Sequence, residues 1–264
     1  MIAAGLLLLA VGAADIVRQF APRRWIGYLT VAIILLVLGS VSDAVLPMIF
    51  ALVAGALWVW CMPTRGRAPM SFWPAVILGV LAVGAVVWFG DRADAGLLGA
   101  VWNPRSPFGA VTVDLAVLAV GAGAFLLESA NLVVRTALDG EHTWRPIELM
   151  RGTGEEIGAE DAGQADGTAD VTDAEGGGTP LSRGGFQGGR LIGPLERVLV
   201  MILTLAAAYP ILASMLAAKG IVRFPEISRD GETGARAEYF LVGSLVSWVI
   251  GLSAAFLVWW AAHS

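Results

Sequence analysis

Six residues in the C-terminal third have the types and spacing for charge chemistry: Glu196, Arg197, Lys219, Arg223, Glu238 and Tyr239. In a water-poor setting, carboxylates, cations and a phenol can pair with one another, hold an anionic headgroup or grip a partner protein. Glu196 and Arg197 are adjacent, so on a helix they point in different directions and each needs its own partner. For Glu196 the candidates are Arg190 or a basic residue of 219–236. For Arg197 they are lipid phosphate, Glu226 or Glu238. An architectural joint leads, ahead of headgroup or protein binding. No nucleophile, acid and base fall into a catalytic arrangement, so a non-enzymatic role is expected.

A second set lies near the N-terminus. Asp15 and Arg18 are three residues apart and share a helix face. They predict a pair that fixes the depth of a helix end, with Arg18 snorkelling toward water. The rival use is movement of an ion or small solute by a transporter or channel-like protein. It would draw on Asp15, Asp114, Glu128 and a helix kinked at Pro210, and it predicts a water-filled cavity reaching midplane. Asp114 and Glu128 fall 14 residues apart, about 21 Å along a helix, so they do not form a central relay.

Metal and cofactor chemistry find little material. His142 and His263 are the two histidines and Cys61 the one cysteine, so neither a thiolate cluster nor a haem pair is expected. No phosphate-binding glycine loop and no His-Glu-x-x-His occur. No nucleic-acid partner is expected at a net charge of −5.

The elements that carry these residues are apolar. Of 264 residues 57% are hydrophobic and only 15% charged, and mean hydropathy is +0.74. That excess is too large for one soluble core and suits lipid. The sequence predicts an all-α polytopic membrane protein with seven spans: 2–17, 25–38, 44–62, 72–89, 109–137, 191–218 and 239–262. No basic residue precedes Asp15, so the first is expected as an uncleaved helix rather than a signal peptide. Ala95 to Trp102 is expected against the interface. Ala213 and Ala217 in the sixth span, and Gly243, Ser247, Gly251 and Ala255 in the seventh, are spaced for close helix contact.

Residues 1–137 thus form a five-helix region and 191–264 a two-helix region. Between them, 138–190 reads as a flexible acidic linker. Eight acidic and no basic residues lie from Gly154 to Gly178, and few large apolar side chains are present to offset the entropy of ordering. Such a linker offers reach, or contact with a basic partner. Basic residues tend to stay inside. Seven spans put eleven Lys and Arg on the linker's side and six opposite, but four of those six crowd 219–236. That crowding suggests either that 191–218 is a re-entrant pair bent at Pro210 or that an early segment does not cross.

Three stretches carry a family resemblance: GGRLIGPLERVLV at 188–200, LAAKGIVRFPE at 216–226 and AEYFLVGSLVS at 237–247. They resemble the C-terminal region of the DUF3307 group of uncharacterised bacterial membrane proteins. The resemblance covers about a quarter of the chain and implies two helices around a short polar loop. It singles out Gly193, Glu196, Arg197, Lys219, Arg223, Phe224, Glu238 and Tyr239. With the Ala and Gly bias, it implies a multi-pass protein of the bacterial inner membrane. Its partners would be lipid and either another protein or a second copy of itself.

Overall fold

The computed structural model describes residues 1–62, 72–89, 96–102, 105–106, 109–140, 189–228 and 235–264. For 105–106, 109–110, 139–140, 189–191, 223–228 and 235–239 the backbone alone is described. The acidic stretch expected as a linker lies outside the described residues, apart from its two helical ends.

Among the described residues the chain is helical apart from one short ladder. The elements are α1 (Ile2–Phe20), α2 (Arg24–Val41), α3 (Val45–Cys61), α4 (Trp73–Phe89) and α5 (Gly96–Val101). Then come β1 (Arg105–Ser106), β2 (Gly109–Ala110), α6 (Val113–Ala124), a π-helical turn (Phe125–Ser129) and α7 (Ala130–Gly140). The C-terminal part is α8 (Gly189–Leu205), α9 (Tyr209–Ser228) and α10 (Ala235–His263). In the ladder, Arg105 pairs with Ala110 and Ser106 with Gly109, antiparallel. Four stretches are long and apolar enough to cross a membrane: Ile2–Phe20, Arg24–Val41, Val113–Leu138 and Phe240–His263. Val45–Cys61, Trp73–Phe89 and Tyr209–Val222 are apolar but shorter.

The first helix forms the centre. α1 packs against α6, α3, the π turn, α4 and α2, and Ala4, Leu6 and Val11 are wholly buried. Small residues allow that crowding. A Cβ on Gly5 would sit 2.7 Å from the Leu118 nitrogen, one on Gly12 would sit 2.5 Å from the Ala124 carbonyl carbon, and one on Gly121 would sit 2.4 Å from the Gly5 oxygen. Because Gly5 meets Leu118 and Gly12 meets Ala124, α1 and α6 run parallel with their backbones in contact.

Outside this centre the apolar side chains turn outward. Leu46 and Trp60 of α3, Val80 and Trp88 of α4 and Leu97 of α5 are all exposed. A soluble domain seldom leaves so much apolar surface uncovered, whereas lipid solvates it.

The stretch expected as one kinked helix over 191–218 is two helices. Ala206, Ala207 and Ala208 form a turn, with Ala207 at φ 53°. The Ala208 nitrogen closes on the Leu203 oxygen at 2.9 Å. Pro210 does not kink anything. It lies in the first turn of α9, where the Ala208 oxygen already receives the Ile211 and Leu212 amides at 3.1 and 3.0 Å. A missing N–H is harmless there. The C-terminal region therefore has three helices, not two.

Candidate functional site

Among the described residues, Glu196, Arg197 and Lys219 join helices near the C-terminus. Lys219 of α9 donates to both carboxylate oxygens of Glu196 on α8, at 2.8 and 2.7 Å. The two residues are 23 apart in sequence, which on one straight helix would separate them by about 35 Å. Their meeting requires α9 to fold back antiparallel along α8. The same carboxylate accepts from Trp248 Nε1 of α10 at 2.8 Å. The ammonium also lies 5.8 Å from the Phe240 ring centroid and 5.6 Å from that of Trp248, within cation–π range. One ion pair thus ties three helices, and it is only partly exposed, 25% at Lys219 and 11% at Glu196.

Arg197 turns the other way. The sequence offered it lipid phosphate, Glu226 or Glu238, but its side chain is buried, 2% exposed. Nε donates to the Leu126 carbonyl at 3.3 Å, Nη1 to Ser247 Oγ at 3.3 Å, and Nη2 to Asn131 Oδ1. The physical reason is the crossing of α8 over the π turn. There the Leu126 oxygen accepts from outside its own helix, and Asn131 Nδ2 donates to the neighbouring Leu127 oxygen at 3.3 Å. Asn131, Ser247 and Trp248 had no place in the sequence-based set.

Close packing holds the joint. A Cβ on Gly251 would lie 3.2 Å from Val200 and 3.4 Å from the Arg197 oxygen. Ala255 is fully buried. Ser247 and Gly251 of α10 therefore lie on α8, while Gly243 faces Leu138 of α7. Ala213 and Ala217 of α9 instead face outward, and Tyr209 is 60% exposed beside the turn. The side chains of Arg223, Glu238 and Tyr239 lie outside the described residues, as does His142.

The N-terminal pair is a second joint. Arg18 donates to Asp15 at 2.8 Å. It does not snorkel. Its Nη2 reaches the Val59 and Met62 carbonyls, at 3.2 and 2.7 Å. These belong to the last turn of α3 and just beyond, where carbonyls lack helical partners and the helix dipole favours a cation. Trp58 Nε1 donates to the other Asp15 oxygen at 2.8 Å, and its ring meets Phe125 edge-on at 6.2 Å.

Two cavities accompany these joints. One, of about 630 Å³, runs between α4 and α10 over a floor that includes Leu8 and Phe125. The other, of about 310 Å³, lies among α1, α2 and α3 beside Tyr28 and Gly55. Among the described residues no three His, Cys, Asp or Glu side chains gather as metal ligands.

No protein-family model, curated protein or solved structure matches this chain.

Proposed function

We propose that this is a non-enzymatic, multi-pass protein of the bacterial cytoplasmic membrane, with six spanning helices and one re-entrant hairpin. The spans are α1, α2, α3, α4, the continuous α6–π–α7 helix and α10. The hairpin is α8–α9, held to α10 by Glu196, Lys219 and Trp248. Its role is that of an embedded element on which lipid or a protein partner rests.

The observation that carries this is the Lys219–Glu196 contact across the turn at 206–208. A hairpin returns 219–236 to the face from which it entered. The four basic residues that crowded the wrong side then join the eleven on the other, so 15 of 17 Lys and Arg share one face. Such asymmetry is what the inward bias of positive charge selects. Arg92 and Arg105 alone stay opposite.

Tryptophan positions support the same spans. Trp25, Trp60 and Trp73 lie exposed at helix ends on the basic face, and Trp88, Trp259 and Trp260 at ends on the other. Two aromatic belts fit a helix set of bilayer height. α3 and α4, at 17 residues each, reach about 25 Å, short of a core of about 30 Å by an amount that interfacial Trp accommodates.

A transporter has less support. Asp15 is engaged by Arg18 and Trp58, Arg197 by three neutral acceptors, and both cavities have mainly apolar walls. The kinship with the DUF3307 group belongs to this proposal too, since Gly193, Glu196, Arg197 and Lys219 carry it.

The test is sidedness. Glu160→Cys and Asp230→Cys are placed singly in a Cys61→Ser background and exposed to an impermeant thiol reagent in intact cells. Both sites are expected to be shielded until the membrane is opened. Labelling of position 230 alone in intact cells would restore a seventh span and overturn the hairpin.

A further inference from the structure

We propose that the cleft between α4 and α10 holds one acyl chain of an anionic phospholipid from the leaflet on the basic face. The inference rests on the sidedness proposed above, and its chemistry comes from the walls. Phe72, Gly79 and Val83 line one side and Val242, Val249 and Leu257 the other. Among the described lining residues Ser253 is the one hydroxyl, and no side chain is charged. A volume of about 630 Å³ lies within the range of ligand pockets. An apolar cleft of that size in a membrane fills with hydrocarbon, because water there would find no polar partners.

The shape sets at which end of the cleft the headgroup lies. The lining ends at Val83 and Leu257, and beyond them Val86, Val258 and Ala261 are buried in the core. The cleft is therefore closed toward the C-terminal ends of α4 and α10. At the other end lie Phe72, Ala137 and Val242, where α4 and α10 begin and α7 finishes. That end belongs to the basic face. From Val242 to Leu257 is about 22 Å of helix, enough for a chain one leaflet deep in a core of about 30 Å. Val76 and Val249 are exposed along its flanks, so a lipid can enter sideways. The positive charge gathered on this face selects an anionic headgroup.

Gly79 provides the test. A Cβ there meets nothing within 4 Å, and the same holds for Gly84, which does not line the cleft. Gly79→Trp should fill the space without disturbing the backbone, and Gly84→Trp serves as the matched control. The full chain is reconstituted in vesicles containing phosphatidylglycerol with a diazirine near the end of one chain, irradiated, and mapped by mass spectrometry. Labelling is expected on α10 between Val246 and Leu257, retained in Gly84→Trp and lost in Gly79→Trp. Equal labelling of both variants, or labelling spread evenly around α10, would overturn the site. So would capture of a diazirine fatty acid but not of the phospholipid, or protection of the cleft by the chain's own residues 141–150. The cysteine experiment above is independent of all these outcomes, so failure of the cleft and failure of the topology are separable.

Discussion

Arg18 of α1 donates to the Met62 carbonyl at 2.7 Å, so a side chain from the central helix closes the end of α3. The same guanidinium neutralises Asp15, which is 5% exposed. Arg18→Ala leaves a buried carboxylate with Trp58 alone and uncaps α3. A loss of about 3–5 kcal/mol is expected, the usual effect of removing one member of a buried pair. Thermal unfolding of the detergent-solubilised protein measures it. Asp15→Asn together with Arg18→Ala should recover part of the loss, because no unpaired charge remains.

Ala207 gives a test in which the sign decides. In a continuous helix, Ala207→Gly would destabilise by about 1 kcal/mol. At φ 53° an alanine is instead strained by about 1–2 kcal/mol, and glycine is not. Ala207→Gly is therefore expected to raise the melting temperature and Ala207→Val to lower it. A lower melting temperature for the glycine variant would argue for an unbroken helix.

The Glu196–Lys219 pair should behave as a latch. It is partly exposed, so breaking it with Lys219→Met should weaken the hairpin by about 1–2 kcal/mol, between the values for surface and buried pairs. Spin labels at Leu203 and Leu212, flanking the turn, would change little. Labels at Leu199 and Leu216, nearer the latch, should spread in Lys219→Met and return toward native distance in the exchanged pair Glu196→Lys with Lys219→Glu. Identical distance distributions in all three would show that the latch is idle.

Arg197 is expected to be intolerant even of lysine. Its planar fork reaches acceptors on the π turn, α7 and α10 at once, which a point-like ammonium does not. Arg197→Lys should cost about 2 kcal/mol and Arg197→Met somewhat more, since each orphaned buried acceptor is worth about 1–3 kcal/mol. A lysine variant as stable as wild type would mean that charge alone matters at this position.

Much of this architecture was legible in the residues. Long apolar runs fixed where α1, α2, α3, α4 and α10 would form, because a helix that must satisfy its backbone in lipid leaves a long hydrophobic signature. The three-residue spacing of Asp15 and Arg18 announced their pairing. Their further partners were hidden, because the carbonyls of Val59 and Met62 carry no side-chain signal. Asn131 and Trp248 were hidden for a related reason: single polar groups in apolar runs have no spacing to read. The spacing of Ser247 marked it for close helix contact but not as a partner of Arg197. The turn at 206–208 was masked by three alanines, the strongest helix formers. Only the crowding of charge in 219–236 pointed toward it. Gly5, Gly12 and Gly121 went unread because their contact joins segments more than a hundred positions apart.

The π turn at Phe125–Ser129 has a geometric consequence for the helix that contains it. One additional residue in a single turn rotates everything that follows by about 100° relative to uniform winding. Before the turn, Leu118, Gly121 and Ala122 are buried, with Leu118 and Gly121 against α1. After it, Asn131 is aimed at Arg197 on α8. A regular helix would offer one stripe to one neighbour. The overfull turn re-phases the stripe midway, so one rod faces the N-terminal helices along its first half and α10, with Arg197 of α8, along its second. Deleting a single residue between 125 and 129 would restore regular winding and swing Asn131 off its partner.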